Sequence, residues 1–187
     1  QESLSIADYQ NLQNQLYAIG SQANHSIVTV TSVVSNTDWF HNSYESEGQC
    51  SGVIIQENAS EVLILTEQKV ITDPSRITVT FIDDTTAGAV MKKYDGNTGI
   101  AVLSVARSDI NDSTLDTISI AEFGNSNGVT KGSIVIALGS PLGTNYSILT
   151  GNVTSTDNEI STIDHNYSIF TTDIVASKSS SGILINV

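Results

Sequence analysis

Apolar residues in the first stretch recur at helical spacing. Leu4, Tyr9, Leu12, Leu16, Tyr17 and Ile19 stand among Gln and Asn, which suits one face of an α-helix. Gly20 is expected to end that helix, because a glycine there adopts the left-handed cap conformation most readily. The spacing predicts an N-terminal amphipathic helix packed on the body, with an oligomer contact as the alternative use of its face. After residue 25 the pattern changes. Residues 26–35 are β-branched and partly alternating, and 48–56 and 61–66 read as two more strands joined by a turn at 57–60. Ile77, Val79 and Phe81 alternate cleanly within 76–82. Asp83-Asp84 marks a turn before 87–93, and 99–106 is the sixth strand.

Residues 107–130 form a long polar connection, with an isolated Ile118-Ser119-Ile120 piece. A second β set follows at 132–139, 146–155, 167–172 and 182–187. No helical pattern alternates with these strands, so a parallel βαβ sheet is not expected. Short strands separated by turn signals suit closed barrels instead. The architecture read from this pattern is all-β: two antiparallel barrels of the six-stranded type behind an N-terminal helix. Its divisions are 1–25 for the helix, 26–106 for the first barrel, 107–130 for a linker and 131–187 for the second barrel.

Composition narrows the function classes. The 187 residues are 39% hydrophobic and the mean hydropathy is +0.02, enough for a packed core. Twenty acidic against seven basic residues give a net charge of −13. Nucleic acid is therefore not expected as a partner, since a negative surface repels phosphate. Anionic lipid is disfavoured in the same way, and no apolar run approaches the ~20 residues of a membrane span. This segment is expected to make no membrane contact of its own. A single cysteine, Cys50, cannot form an intrachain disulfide and reads as an inert buried thiol. Three dispersed histidines, His25, His41 and His165, offer no metal-ligand spacing, so neither metal nor cofactor is expected.

The chemistry lies near the end of the chain, where Lys178-Ser179-Ser180-Ser181-Gly182-Ile183-Leu184-Ile185-Asn186 runs from a serine cluster into an apolar strand. This run is similar to Gly-Asn-Ser-Gly-Gly-Pro-Leu-Val-Asn of the HtrA/DegP-type trypsin-like serine proteases, keeping Ser180, Gly182, Leu184 and Asn186. Upstream, Gly48 to Ile55 resembles the family's Gly-Ser-Gly-Ser-Gly-Val-Ile-Ile. Ile64 to Ile71 resembles Ile-Leu-Thr-Asn-Asn-His-Val-Val, and Asp95 to Leu103 resembles Asp-x-x-Thr-Asp-Leu-Ala-Val-Leu. Lys131 to Gly143 is similar to Gly-x-x-Val-x-Ala-Ile-Gly-Asn-Pro-Leu-Gly. The matching pieces occur in the family's order over most of 26–187. The resemblance implies a chymotrypsin-like double barrel; the family continues with at least one more strand after the place of Val187, so either this stretch is short or the second barrel is incomplete.

Serine acyl transfer needs a nucleophile, a base to take its proton, a carboxylate to orient that base, and N–H donors for the oxyanion. The resemblance puts Lys69 at the His position and Gly99 at the Asp position. A lysine of ordinary pKa is protonated and accepts nothing, and a glycine has no side chain. The nucleophile position falls on Ser180 when counted back from Leu184 and Asn186, and on Ser181 when counted from Asp173. The oxyanion-hole residues would be Lys178 and Ser180, and Lys178 and Ser181 replace the glycines that flank the nucleophile.

The expectation is a degenerate family member, a pseudoprotease that binds a protein or peptide in a regulatory or sensory role. Two alternatives stand beside it. One is an active serine endopeptidase using a Ser–Lys arrangement of Ser180 and Lys69; the other is a structural or adhesive surface domain. The family further implies an extracytoplasmic location, tethering by a segment outside this stretch, and a PDZ domain that this stretch does not carry. An unpaired strand edge in a short second barrel would favour homo-oligomers.

Overall fold

The computed structural model describes residues 4–37, 43–71, 74–140, 146–177 and 181–187. Six antiparallel strands close the first barrel: β1 Ile27–Thr37, β2 Ser43–Glu57, β3 Glu61–Glu67, β4 Arg76–Thr80, β5 Thr86–Asp95 and β6 Ile100–Ala106. Around the barrel they run β1-β2-β3-β6-β5-β4. The second half holds β7 Ile134–Ser140, β8 Leu149–Ser161, β9 Asn166–Thr172 and β10 Ser181–Asn186. These form a curled half-barrel of four strands in the order β10-β7-β8-β9. The expectation of an all-β, chymotrypsin-like double barrel behind a helix is borne out.

Alternation explains the first barrel. In β3, Val62, Ile64 and Thr66 point inward and are buried while their neighbours are half-exposed. Ile54, Ile64, Val79, Leu103 and Val105 meet on the axis at 0% exposure, each worth about 1.5–3 kcal/mol of burial. A second cluster joins the halves. Ile27 and Val53 on the outside of the barrel pack with Ile136 and Leu138 of β7 and with Leu16 of the helix.

That helix, α1 Ile6–Ala23, opens on a capping box in which Ser5 and Asp8 bond each other's backbone amides. It does not stop at Gly20. The glycine is buried inside the helix, and a Cβ there would stand 2.7 Å from Cγ2 of Ile148. Gly20 is thus a point of close approach to the second sheet, not a cap. The packing expected of the apolar face also holds only in part. Leu16 is buried, but Leu4, Ile6 and Tyr9 are mostly exposed, because the body reaches only the later turns of the helix.

The polar connection after β6 contains an unexpected short helix, α2 Asp112–Thr117. Six residues are too few to show a 3.6-residue period. Its Thr114 is fully buried, and its hydroxyl donates to Asp83 Oδ2 at 2.6 Å. Trp39, Phe40 and the run 141–143 lie outside the described residues.

Candidate functional site

Two turns on the first barrel carry the positions that resemble the family's His and Asp. Lys69 sits in the tight turn Gln68–Val70 that follows β3. Gly99 ends the turn between β5 and β6 at φ +70°. Backbone bonds bring these turns together: the Gln68 amide donates to the Gly99 carbonyl at 2.8 Å, and the Gly99 amide to the Asp95 carbonyl at 2.9 Å. The Asp95 side chain turns back on its own loop, accepting from the Asn97 amide and the Thr98 hydroxyl. These bonds hold its carboxyl below the ordinary range. A Cβ at Gly99 would meet nothing within 4 Å.

Lys69 bends back onto its own strand. Its Nζ lies 2.7 Å from Glu67 Oε2, and the side chain is 64% exposed. The hydrogen bond to Glu67, then that carboxylate's charge, raises the lysine's pKa, so it stays an ammonium at neutral pH. The other carboxylate oxygen of Glu67 faces the second half of the molecule, where Ser181 Oγ donates to Oε1 at 2.8 Å.

Ser181 is 6% exposed and starts β10. Its Oγ also accepts the Ser51 amide at 2.8 Å. Its carbonyl takes the hydroxyls of Ser51 and Ser140, at 3.2 and 3.1 Å. The Ser51 and Ser140 hydroxyls lie 3.3 Å apart, and the Ser51 carbonyl accepts from Thr66 Oγ1 at 2.8 Å. Where β2, β7 and β10 meet, a small seam of hydroxyls therefore replaces apolar packing, and every hydroxyl in it has a partner. Gly139 makes the approach possible. It stands opposite Gly182 at φ +97°, and a Cβ there would lie 2.5 Å from Ser51 Oγ.

Lys178, Ser179 and Ser180 lie outside the described residues, as does His41. The other two histidines are engaged elsewhere. His25 Nδ1 bonds the Thr117 carbonyl at 2.7 Å, and His165 stacks obliquely on Tyr167. Cys50 lies 3.2 Å from Thr66 Oγ1, just behind the seam, and burial raises its pKa. Among the described residues no group of three or more His, Cys, Asp or Glu is placed to hold a metal ion.

The structure thus brings Lys69 and Gly99 onto adjoining turns and adds three residues that the motif reading passed over: Glu67, Ser51 and Ser140. Glu67 carried a readable signal. It replaces an uncharged Asn of the resembling motif and stands two residues from Lys69. Ser51 and Ser140 carried none, since isolated serines in strands usually face water.

Beside the seam, β10 pairs with β7, its one strand neighbour among the described residues. Next to it runs a groove of about 360 Å³ between β10 and residues 119–124. Ile27, Val53, Ile55, Leu138, Ile183 and Ile185 line it. Among the described residues no helix is long and apolar enough to cross a membrane.

Comparison with known proteins agrees with this geometry. The family model described as "Trypsin-like peptidase domain" matches residues 50–186. The chain is 29% identical over 143 residues to the "Serine protease Do-like HtrA" of Bacillus subtilis (strain 168), covering 75% of this chain and 29% of that protein. It is 31% identical over 97 residues to "Serine protease Do-like HtrB" of the same organism, covering 52% of this chain and 20% of that protein. It is 28% identical over 141 residues to the Lactobacillus helveticus "Serine protease Do-like HtrA", covering 74% and 32%. The chain spans at most about a third of these relatives' own length. With the closed barrel, the curled half-barrel and the adjoining turns that bear residues 69 and 99, the matched range places the chain in the trypsin-like peptidase domain family, among relatives of the HtrA type.

Proposed function

We propose that this domain is a catalytically inactive HtrA-type serine protease domain that binds an extended peptide in a regulatory or sensory role outside the cytoplasm. One observation carries the inactive reading. At the position of the base stands an ammonium, fastened at 2.7 Å to a carboxylate that also takes the hydroxyl of Ser181. A group in that place must accept a proton from serine and later return it, which an imidazole near its own pKa does well. A solvated lysine paired to Glu67 is fixed in the donor state. The same pairing argues against the Ser–Lys alternative, which requires a desolvated, neutral amine.

In this reading Ser180 is the vestigial nucleophile position, since the hydroxyl of Ser181 is buried and engaged. Lys178 and Ser180 would supply the amides of the former oxyanion hole. The groove beside β10 supports a peptide partner: an extended chain entering it would meet the apolar side chains of Ile27, Val53, Ile55, Leu138, Ile183 and Ile185.

A fluorophosphonate serine-hydrolase probe tests the inactive reading on the native protein and on Ser179→Ala, Ser180→Ala and Ser181→Ala. The expected result is no labelling of the folded protein. Labelling that one of the three variants abolishes would identify a working nucleophile and overturn the proposal. Titration with extended apolar peptides, followed by amide chemical shifts, tests the groove; shifts absent from β10 and residues 119–124 would reject it as the binding place.

A further inference from the structure

The wall that faces β10 across the groove is the run 119–124, and its amides are used unevenly. The Ser119 amide donates to the His25 carbonyl at 3.0 Å, and the Ala121 amide to the Ile54 carbonyl at 2.8 Å. These two bonds fix the run against the first barrel. The amides of Ile120 and Glu122 have no hydrogen-bond partner among the described residues. A wall of this kind offers backbone donors to a chain laid alongside it.

Apolar groups dominate the rim. Ile120, Phe123 and Leu184 are 47%, 75% and 37% exposed. Among them stands a single formal charge. Glu122 lines this groove and also the adjoining opening of about 850 Å³ that reaches Phe170. No other charged side chain among the described residues lines either one. The chain's own cations are engaged elsewhere: Lys69, Lys92, Arg107 and Lys131 each pair with a different carboxylate. Glu122 has neither an ion pair nor a side-chain hydrogen bond among the described residues.

We propose that the run 119–124 is a specificity wall: the groove takes an extended peptide in which apolar residues flank a lysine or arginine, with that cation on Glu122. The proposal rests on the peptide-binding reading above and names its ligand class. The surroundings of the carboxylate set the chemistry. A side chain that reaches Glu122 past Phe123 and Leu184 needs a long apolar stem and a charged head, which lysine and arginine combine. Arginine gains further by lying on the Phe123 ring. The net charge of −13 acts in the same direction. It draws in a basic peptide, and it repels an acidic one and a second copy of this chain.

The test uses three peptides blocked at both ends, Val-Thr-Val-X-Val-Thr-Val, in which X is lysine, norleucine or glutamate. Each is titrated into the unaltered protein, Glu122→Gln and Glu122→Lys, with amide chemical shifts giving both the place and the affinity. Norleucine keeps the stem and removes the charge, so it measures the groove alone. The lysine peptide should bind the unaltered protein about two- to fivefold more tightly than the norleucine peptide, the range of an exposed ion pair. The shifts should centre on residues 119–124 and 183–185. The lysine margin should vanish in Glu122→Gln, and Glu122→Lys should favour the glutamate peptide instead. Equal affinity of the lysine and norleucine peptides for the unaltered protein overturns the proposal. So does a lysine margin that survives in Glu122→Gln, because the cation would then be read elsewhere. Shifts at 119–124 that grow with protein concentration in the absence of peptide also overturn it, since a second copy would fill the groove. If none of the peptides moves these residues, the peptide-binding reading itself falls, a failure distinct from loss of the lysine margin alone.

Discussion

Replacing Gly139 by alanine should be the most damaging single-methyl change in the domain. The residue lies in β7 at φ +97°, opposite Gly182, and a Cβ would stand 2.5 Å from Ser51 Oγ and 3.2 Å from Gly182 Cα. Two effects add. Holding a side chain in that backbone region costs on the order of 1–3 kcal/mol. Pushing the Ser51 hydroxyl aside takes that buried group away from both its partners, the Ser140 hydroxyl and the Ser181 carbonyl, for roughly 1–3 kcal/mol more. The midpoint is about 4 kcal/mol, or roughly 8–16 °C in melting temperature for a domain of this size. Gly88→Ala is the matched control, because a Cβ there meets nothing within 4 Å and φ is not positive. It should be neutral or stabilising by ~0.5–1 kcal/mol, since alanine surrenders less backbone freedom than glycine. Urea unfolding followed by circular dichroism, at equal slope, gives both differences from the midpoints. If Gly139→Ala and Gly88→Ala unfold at the same urea concentration, the account of the seam as a close-packed hydroxyl contact is wrong.

Other outcomes follow from single residues. Leu16→Ala should cost about 2–5 kcal/mol and release α1 from the body, seen as lost helical ellipticity with the β signal intact. Ser32→Ala should be neutral or slightly stabilising in urea melts, because the Ser32 hydroxyl is buried and has no hydrogen-bond partner among the described residues; a loss above ~1 kcal/mol would imply a partner. Asp173 accepts the Asn152 amide at 2.6 Å, and that bond lowers its pKa. Its contribution is therefore full above the unfolded carboxyl's value near ~3.9 and fades as pH falls through the lower native value. Asp173→Asn should flatten the fall of melting temperature with pH in that acid window and leave the neutral plateau's slope unchanged. Cys50 is 2% exposed with its pKa raised by burial, so a disulfide reagent at pH 8 should modify it only at the rate of unfolding; stoichiometric reaction within seconds would contradict its place behind the seam.

Much of the fold was legible because it rests on period-two alternation, which a sequence displays directly. The strands around Ile77, Val79 and Phe81 needed nothing else. Gly20 misled because two physical reasons for a glycine look alike in sequence. A helix cap needs its positive φ; a close approach needs its missing Cβ. Only the position of Ile148, far along the chain, separates them. α2 was hidden because a six-residue helix held by Thr114 on Asp83 depends on a tertiary bond and not on a stripe. At the site, Lys69 and Gly99 were found as departures from a motif. Glu67, Ser51 and Ser140 were not, because their meaning lies in a contact between residues up to 130 apart in sequence.

The bond from the Gln68 amide to the Gly99 carbonyl has a bearing on how such a domain arises. It is made by main-chain atoms, so the two corners stay side by side whichever side chains they carry. Exchanging the side chain at position 69 or at position 99 leaves that bond intact, in either order. Side chains at either corner can then change while the frame that joins them stays in place.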